Sequence, residues 1–201
     1  MWKKLEVSQQ TRLEEKIETI QHHFSKIMEA LGLDLANPSI KDTPARVAKM
    51  YVDELFSGLD SENFPQMRYF ECTDELRKMV LEKEIAVESV CEHHFVPITG
   101  KAAVAYIPKN KLIGLSKIPR LVNYFCKKPQ LQERLTTEIA NALSLLLETD
   151  DVAVWIQAKH FCVAIRGIKD QSALTITQDL RGKFKTDRAL AEQFLLNIQQ
   201  S

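Results

Sequence analysis

The chain has no excess charge of either sign: Lys+Arg and Asp+Glu both number 27 among 201 residues. Without a global field, nothing draws nucleic acid or an anionic membrane to it, and an anionic ligand must be met by a local basic cluster. No apolar run approaches the length of a membrane span. The opening Met1-Trp2-Lys3-Lys4-Leu5-Glu6 lacks the apolar stretch of a secretory signal, so a cytoplasmic protein is expected. Cysteine is sparse. Cys72, Cys91, Cys126 and Cys162 show no disulfide-framework spacing, and reduced thiols of this kind serve as core fillers or as metal ligands. Neither G-x-x-x-x-G-K-[ST] nor G-x-G-x-x-G occurs, so any phosphate has to be held by side chains, arginine forks foremost. Internal repeats and low-complexity segments are also absent.

What is present is an ordinary globular composition, 45% apolar and 27% charged. Leu13, Ile17, Ile20, Phe24, Ile27, Met28 and Leu31 step by threes and fours, which predicts an amphipathic helix over Thr11–Gly32. Thr43-Pro44 predicts a second helix start, with Thr43 as cap and Gly58 as stop. Ser61–Met67 reads as a loop. Alternation over Ile85–Cys91 predicts a strand, Thr99-Gly100 a turn, and Ala102–Ile107 a second strand. Helical spacing returns after Ser116 with Ile118, Leu121, Val122 and Phe125. Pro129 is expected to open a further helix carrying Leu131, Leu135, Ile139, Leu143 and Leu146, ended by Asp150-Asp151. Alternation then predicts a strand from Val152 through Cys162, with β-like sequence to Ile168. Asp170–Gly182 is polar and without a clear period, and Thr186–Ile198 reads as a final helix. The order predicts an α+β fold, two antiparallel helices on one antiparallel sheet, with an N-terminal helical region over 1–68 and a catalytic region over 69–201.

Two short segments concentrate the chemistry. Cys91-Glu92-His93-His94 and His160-Phe161-Cys162 hold three of the five histidines and two of the four cysteines. C-x-x-H can grip one metal ion if the chain bends there. On a strand His160 and Cys162 would share a face, so one could ligate while the other stays free. Three protein ligands leave a position for a water molecule, which such an ion ionises near pH ~7, and a spare histidine beside it is a natural proton donor. On spacing alone, buried thiols with satisfied core histidines fit equally well. Cys126 lies in an apolar helical run and reads as core; His22 and His23 read as surface or packing residues. Arg46, Lys49, Lys117, Arg120 and Arg166 are the basic candidates for an anion, and they also fit solvated faces. Glu133, in the first turn of a helix, gains from the dipole there or accepts two N–H groups from a ligand.

These residues resemble GTP cyclohydrolase I. The resemblance is carried by Cys91-Glu92-His93-His94-Phe95, by Gly114-Leu115-Ser116-Lys117-Ile118 with Arg120, by Pro129-Gln130-Leu131-Gln132-Glu133-Arg134-Leu135, by His160-Phe161-Cys162 with Arg166-Gly167, and by Thr43-Pro44-Ala45-Arg46-Val47-Ala48-Lys49-Met50-Tyr51. It runs from that helix to Phe184. It implies a tunnelling fold, a homodecamer with active sites between subunits, and the first step of pterin and folate biosynthesis: GTP to 7,8-dihydroneopterin 3'-triphosphate and formate. Position by position, it implies zinc on Cys91, His94 and Cys162; His93 as the acid for purine N7, with His160 its partner; Glu133 with Gln132 as guanine anchor; Ser116 at the ribose; and Arg46, Lys49, Lys117, Arg120 and Arg166 as triphosphate clamp.

One segment departs from the family pattern. Gln171–Gly182 carries fewer hydroxyls than usual and adds Asp179 and Arg181, which bears on local packing or subunit contacts. Competing readings are another tunnelling-fold enzyme acting on a purine or pterin, a non-catalytic pterin- or nucleotide-binding subunit, and a structural zinc protein. The intact His93–His160 pair weighs against mere binding, and the missing fourth ligand against a structural site.

Overall fold

The computed structural model describes residues 2–200, with side chains from Arg12 onward. The chain forms two compact units, the first ending at Ser57 and the second beginning at Gly58.

In the first unit, helix α1 (Trp2–Ala30) begins earlier than the periodicity predicts and ends as expected at a glycine. Gly32 takes φ 80°, and Leu33 N–H bonds Met28 O at 3.1 Å while Gly32 N–H bonds Glu29 O at 2.9 Å. That pairing satisfies the last carbonyls, and it needs a left-handed residue that glycine supplies without strain. Helix α2 (Thr43–Lys49) carries Pro44 in its first turn, as expected. Asp42 rather than Thr43 occupies the cap position, and it makes no side-chain cap bond. The helix widens into a π-helical turn, Met50–Leu55, before Gly58.

The second unit is built on a five-stranded sheet in the order β5-β2-β3-β6-β7. Its members are β2 (Val80–Cys91), β3 (Pro97–Tyr106), β5 (Pro129–Gln130), β6 (Val152–His160) and β7 (Thr175–Leu180). A separate ladder joins β1 (Tyr69–Glu71) to β4 (Lys111–Ile113). Helices α3 (Lys117–Cys126) and α4 (Gln132–Leu147) cover one sheet face. The fold class is the α+β arrangement expected, with one addition: β5 pairs with β2 in parallel.

The core explains why. Leu135, Ile139, Leu143 and Leu147 form one stripe of α4 and are fully buried, while Leu145 on the opposite side is 79% exposed. They meet Ile118, Leu121 and Val122 of α3 and the inward residues Val87, Ile98, Ala102, Val104, Val154 and Ile156 of the sheet. Each such aliphatic side chain contributes about 1.5–3 kcal/mol by leaving water. On the other sheet face, α6 (Lys183–Thr186) and α7 (Arg188–Gln199) bring Phe184 and Phe194 edge-to-face, ring centroids 5.8 Å apart, over the small residues Ala105 and Ala153. The side chain of Asp187 caps α7 by accepting from Ala189 and Leu190 N–H, so that helix starts after Thr186.

Three sequence expectations give way here, each near the chemistry. Thr99-Gly100 is strand interior rather than turn. A Cβ at Gly100 would collide with Gln157 O and Ala158, so the glycine permits close approach of β6. Pro129 does not open a helix; it pairs with Val90 in β5 and places Gln130 opposite Cys91. Proline suits that edge because it has no N–H to offer a ladder. The strand expected through Cys162 stops at His160, and Cys162 sits in the single turn α5 (Phe161–Ala164), so it does not share a strand face with His160. An alternating pattern cannot separate the last residues of a strand from one helical turn. The unassigned stretch after Asp170 supplies edge strand β7.

Candidate metal and catalytic site

Strands β2 and β3 form a hairpin whose last pair is Val90 with Pro97. Between them the chain reverses through Glu92–Phe95. Cys91 N–H bonds Val96 O at 2.8 Å, Phe95 N–H bonds Cys91 O at 2.9 Å, and Phe95 takes φ 54°. This tight reversal is the bend that C-x-x-H requires. The partner segment arrives because β6 runs antiparallel to β3, with His160 opposite Ile98, so α5 begins beside the hairpin tip.

The donor atoms of Cys91, His94 and Cys162 all lie within 4.8 Å of one another. Cys91 is buried, Cys162 half-buried and His94 exposed, so the group opens to solvent on one side. A tetrahedral ion with Zn–S and Zn–N bonds of the usual length spaces its donors by about 3.5–3.8 Å, within reach of small rotamer changes. The chemistry of the set also fits. Burial, and then the neighbouring Cys91, push the Cys162 thiol above its ordinary pKa. Two thiolates crowded together call for a cation, and a bound metal reverses that penalty.

Two further histidines flank the cluster. His93 is mostly exposed, with Nδ1 4.0 Å from Cys91 Sγ and Nε2 3.7 Å from a Glu92 carboxylate oxygen. His160 is half-buried; burial lowers its pKa and the charge of Glu133 opposes that shift. Its Nε2 lies 2.8 Å from Gln132 Oε1. Gln132 and Glu133 open α4: Gln132 points inward and is 1% exposed, Glu133 outward. Arg166, beyond α5, donates to His94 Nε2 at 2.6 Å.

The structure thus gathers Cys91, His93, His94, Gln132, Glu133, His160, Cys162 and Arg166. Ser116 occupies the cap position of α3 without a side-chain cap bond, and Lys117 and Arg120 follow on that helix. Among the described residues no hydrogen bond or ion pair ties these three to the cluster. Arg46 and Lys49 lie on α2 in the first unit, Arg46 3.7 Å from Asp42.

Sequence reading passed over a polar stripe behind the hairpin. Gln130 is fully buried; its Nε2 donates to Phe125 O at 2.9 Å and to Glu138 at 2.8 Å, and its Oε1 accepts from Arg134 at 3.1 Å. Arg134 also pairs with Glu92, next to the metal-type ligand Cys91. Residues 130, 134 and 138 repeat by four, the signal that could have exposed them.

Comparison with known proteins gives the family. The family model described as GTP cyclohydrolase I matches residues 20–199. A protein of Vibrio vulnificus strain YJ016 named GTP cyclohydrolase 1 is 52% identical over 96% of this chain and 89% of its own length. Proteins of the same name from Tolumonas auensis and from Haemophilus influenzae strain PittEE are 52% and 46% identical, over 90% and 93% of this chain and 84% and 86% of their own. With the matched span covering both chemical segments and every strand of the sheet, the chain belongs to the GTP cyclohydrolase I family.

Proposed function

We propose that the chain is a zinc-dependent enzyme that converts GTP to 7,8-dihydroneopterin 3'-triphosphate and formate. The observation that carries this reading is the convergence of Cys91, His94 and Cys162 with two histidines left over beside them. Zinc, when held by those three side chains, supplies the acidity that makes a water nucleophilic at neutral pH. His93, at the hairpin tip, donates a proton to purine N7, which makes C8 electrophilic toward attack by water. Breaking one C8–N bond opens the imidazole ring to a formamide, and a second water cleaves the remaining C8–N bond to release formate; the later ring closure expels one water. His160 serves the following proton transfers as the ribose opens, rearranges and closes onto the freed amine. Glu133, outward in the first turn of α4, accepts from the guanine N–H edge, and Gln132 beside it orients the reacting groups from within. Ser116 is assigned to the ribose. Arg166, Lys117 and Arg120 hold triphosphate oxygens, and fixing that flexible chain lowers the entropy lost on reaching the reactive geometry. The phosphate contacts assigned by resemblance to Arg46 and Lys49 are tested by substitution in the same assay.

By the same resemblance the working form is a cytoplasmic homodecamer. No helix of the described residues is long and apolar enough to cross a membrane. Turnover of GTP by purified protein, with and without a zinc chelator, tests the proposal through formate and through fluorescent neopterin after oxidation. Chelator-sensitive formation of both is expected. No formate from a zinc-loaded protein that binds GTP would sink it.

A further inference from the structure

The bond between His160 and Gln132 has a determined direction. Gln132 Nε2 lies 3.1 Å from Ile156 O and 3.0 Å from Thr175 O, two atoms that only accept. Turning the amide over would set its oxygen against both carbonyls, so the NH2 group faces them and Oε1 faces His160. Because Oε1 only accepts, the hydrogen in the 2.8 Å contact belongs to His160 Nε2.

The surrounding hydroxyls are consistent with this orientation. Thr136 Oγ1 donates to Gln132 O at 2.8 Å, which uses its only hydrogen. Its 2.7 Å contact with Thr177 must then be donated by Thr177. Thr177 Oγ1, its hydrogen used, accepts from Gln132 Nε2 at 3.1 Å. The two Nε2 hydrogens of Gln132 thus face three acceptors, one hydrogen being shared between two of them, in a pocket where Gln132 is 1% and Thr136 2% exposed. Low dielectric strengthens such closed networks and makes any broken member costly.

We propose that Gln132 is a positioning residue that holds His160 in one ring orientation as its Nε2–H tautomer, with Thr177 and Thr136 holding Gln132, so that Nδ1 is the atom through which His160 exchanges protons with substrate. This rests on the acid–base role given to His160 above. It also gives a purpose to the segment after Asp170 that departs from the family pattern: the main chain of Thr175 and the hydroxyl of Thr177, both in β7, hold the amide that orients the histidine. A catalytic imidazole whose far nitrogen is pinned cannot rotate or tautomerise, which is how an outer hydrogen-bond partner tunes the reacting group.

The test uses zinc-loaded, full-length protein labelled with nitrogen-15 histidine, with His160→Ala to assign the ring signals. Wild type is expected to show His160 protonated on Nε2 and bare on Nδ1. Gln132→Leu should lose that single-tautomer signature and reduce kcat roughly 10- to 100-fold, with KM and zinc content unchanged. Should Gln132→Leu fail to fold, Thr177→Val reads the same network more gently: a smaller kcat loss is expected, recovered in Thr177→Ser. An Nδ1–H tautomer in wild type overturns the proposal, as does a folded Gln132→Leu or Thr177→Val protein with wild-type kcat. Wild-type protein without GTP turnover but with the Nε2–H signature would sink the assigned reaction and still uphold the lock.

Discussion

Arg166 Nη1 lies 2.6 Å from Nε2 of His94. A guanidinium only donates, and a neutral imidazole has one acceptor nitrogen. That single lone pair cannot serve Arg166 and a metal ion together, whichever ring nitrogen the ion takes. A metal ion bound at His94 would therefore release Arg166, beside the site, to an anionic ligand.

Arg166→Ala should accordingly leave metal content intact, since the hydrogen bond it loses is one the ion must displace anyway. It should weaken GTP binding by roughly 1.5–3 kcal/mol, about ten- to a hundredfold in Kd, and guanosine binding far less. Metal analysis with calorimetric binding of both ligands checks this. Equal losses for GTP and guanosine would count against a phosphate contact.

Cys162 and Cys126 should separate cleanly. Cys162→Ser is expected to lose bound metal and activity together. Cys126 is fully buried, its thiol pushed up to about 12 by burial, and it belongs to no cluster of metal-type donors among the described residues. Cys126→Ala should keep the metal and lose only about 1–2 kcal/mol of stability to the space left behind. Metal analysis and urea unfolding of the two variants decide the point; a Cys162→Ser protein that keeps its metal and full activity would remove Cys162 from the ligand set.

Glu82 gives a pH prediction. One of its carboxylate oxygens is buried without a hydrogen-bond partner among the described residues, and burial raises its pKa above the ordinary 4.5. The folded state therefore holds this proton more tightly than the unfolded state, and the native contribution falls as pH rises from about 4.5 through the raised value. Glu82→Gln keeps the shape without the charge. Its stability relative to wild type should increase with pH across that window, as read from urea unfolding at several pH values. A difference that shrinks with rising pH would refute the assignment.

Gly100→Ala tests the close approach of β6 to β3. The added methyl meets the backbone of Gln157 and Ala158, two positions before His160 in the same strand. Overpacking of this kind costs about 1–3 kcal/mol. Thermal unfolding should register it, and a neutral result would mean that the strands separate freely there.

Much of this was legible in the chain itself, for a physical reason. Helix and strand periods are local, so α3, the apolar stripe of α4 and most of strands β2, β3 and β6 follow from residue order, while Cys91-Glu92-His93-His94 offers metal-type donors that spacing alone left open and the family resemblance assigned. Tertiary structure decided the remainder. It ended β6 at His160 and turned Cys162 into α5, drew Pro129 and Gln130 into the sheet beside Cys91, and made the polar segment after Asp170 an edge strand. Residues distant in sequence meet only when strand register is fixed, and register depends on which faces the whole chain can bury at once. For that reason the sequence by itself determined which residues are chemically able to act, while the closing of β6 against β3 decided that Cys162 joins Cys91 and that Gln132 fixes the ring of His160.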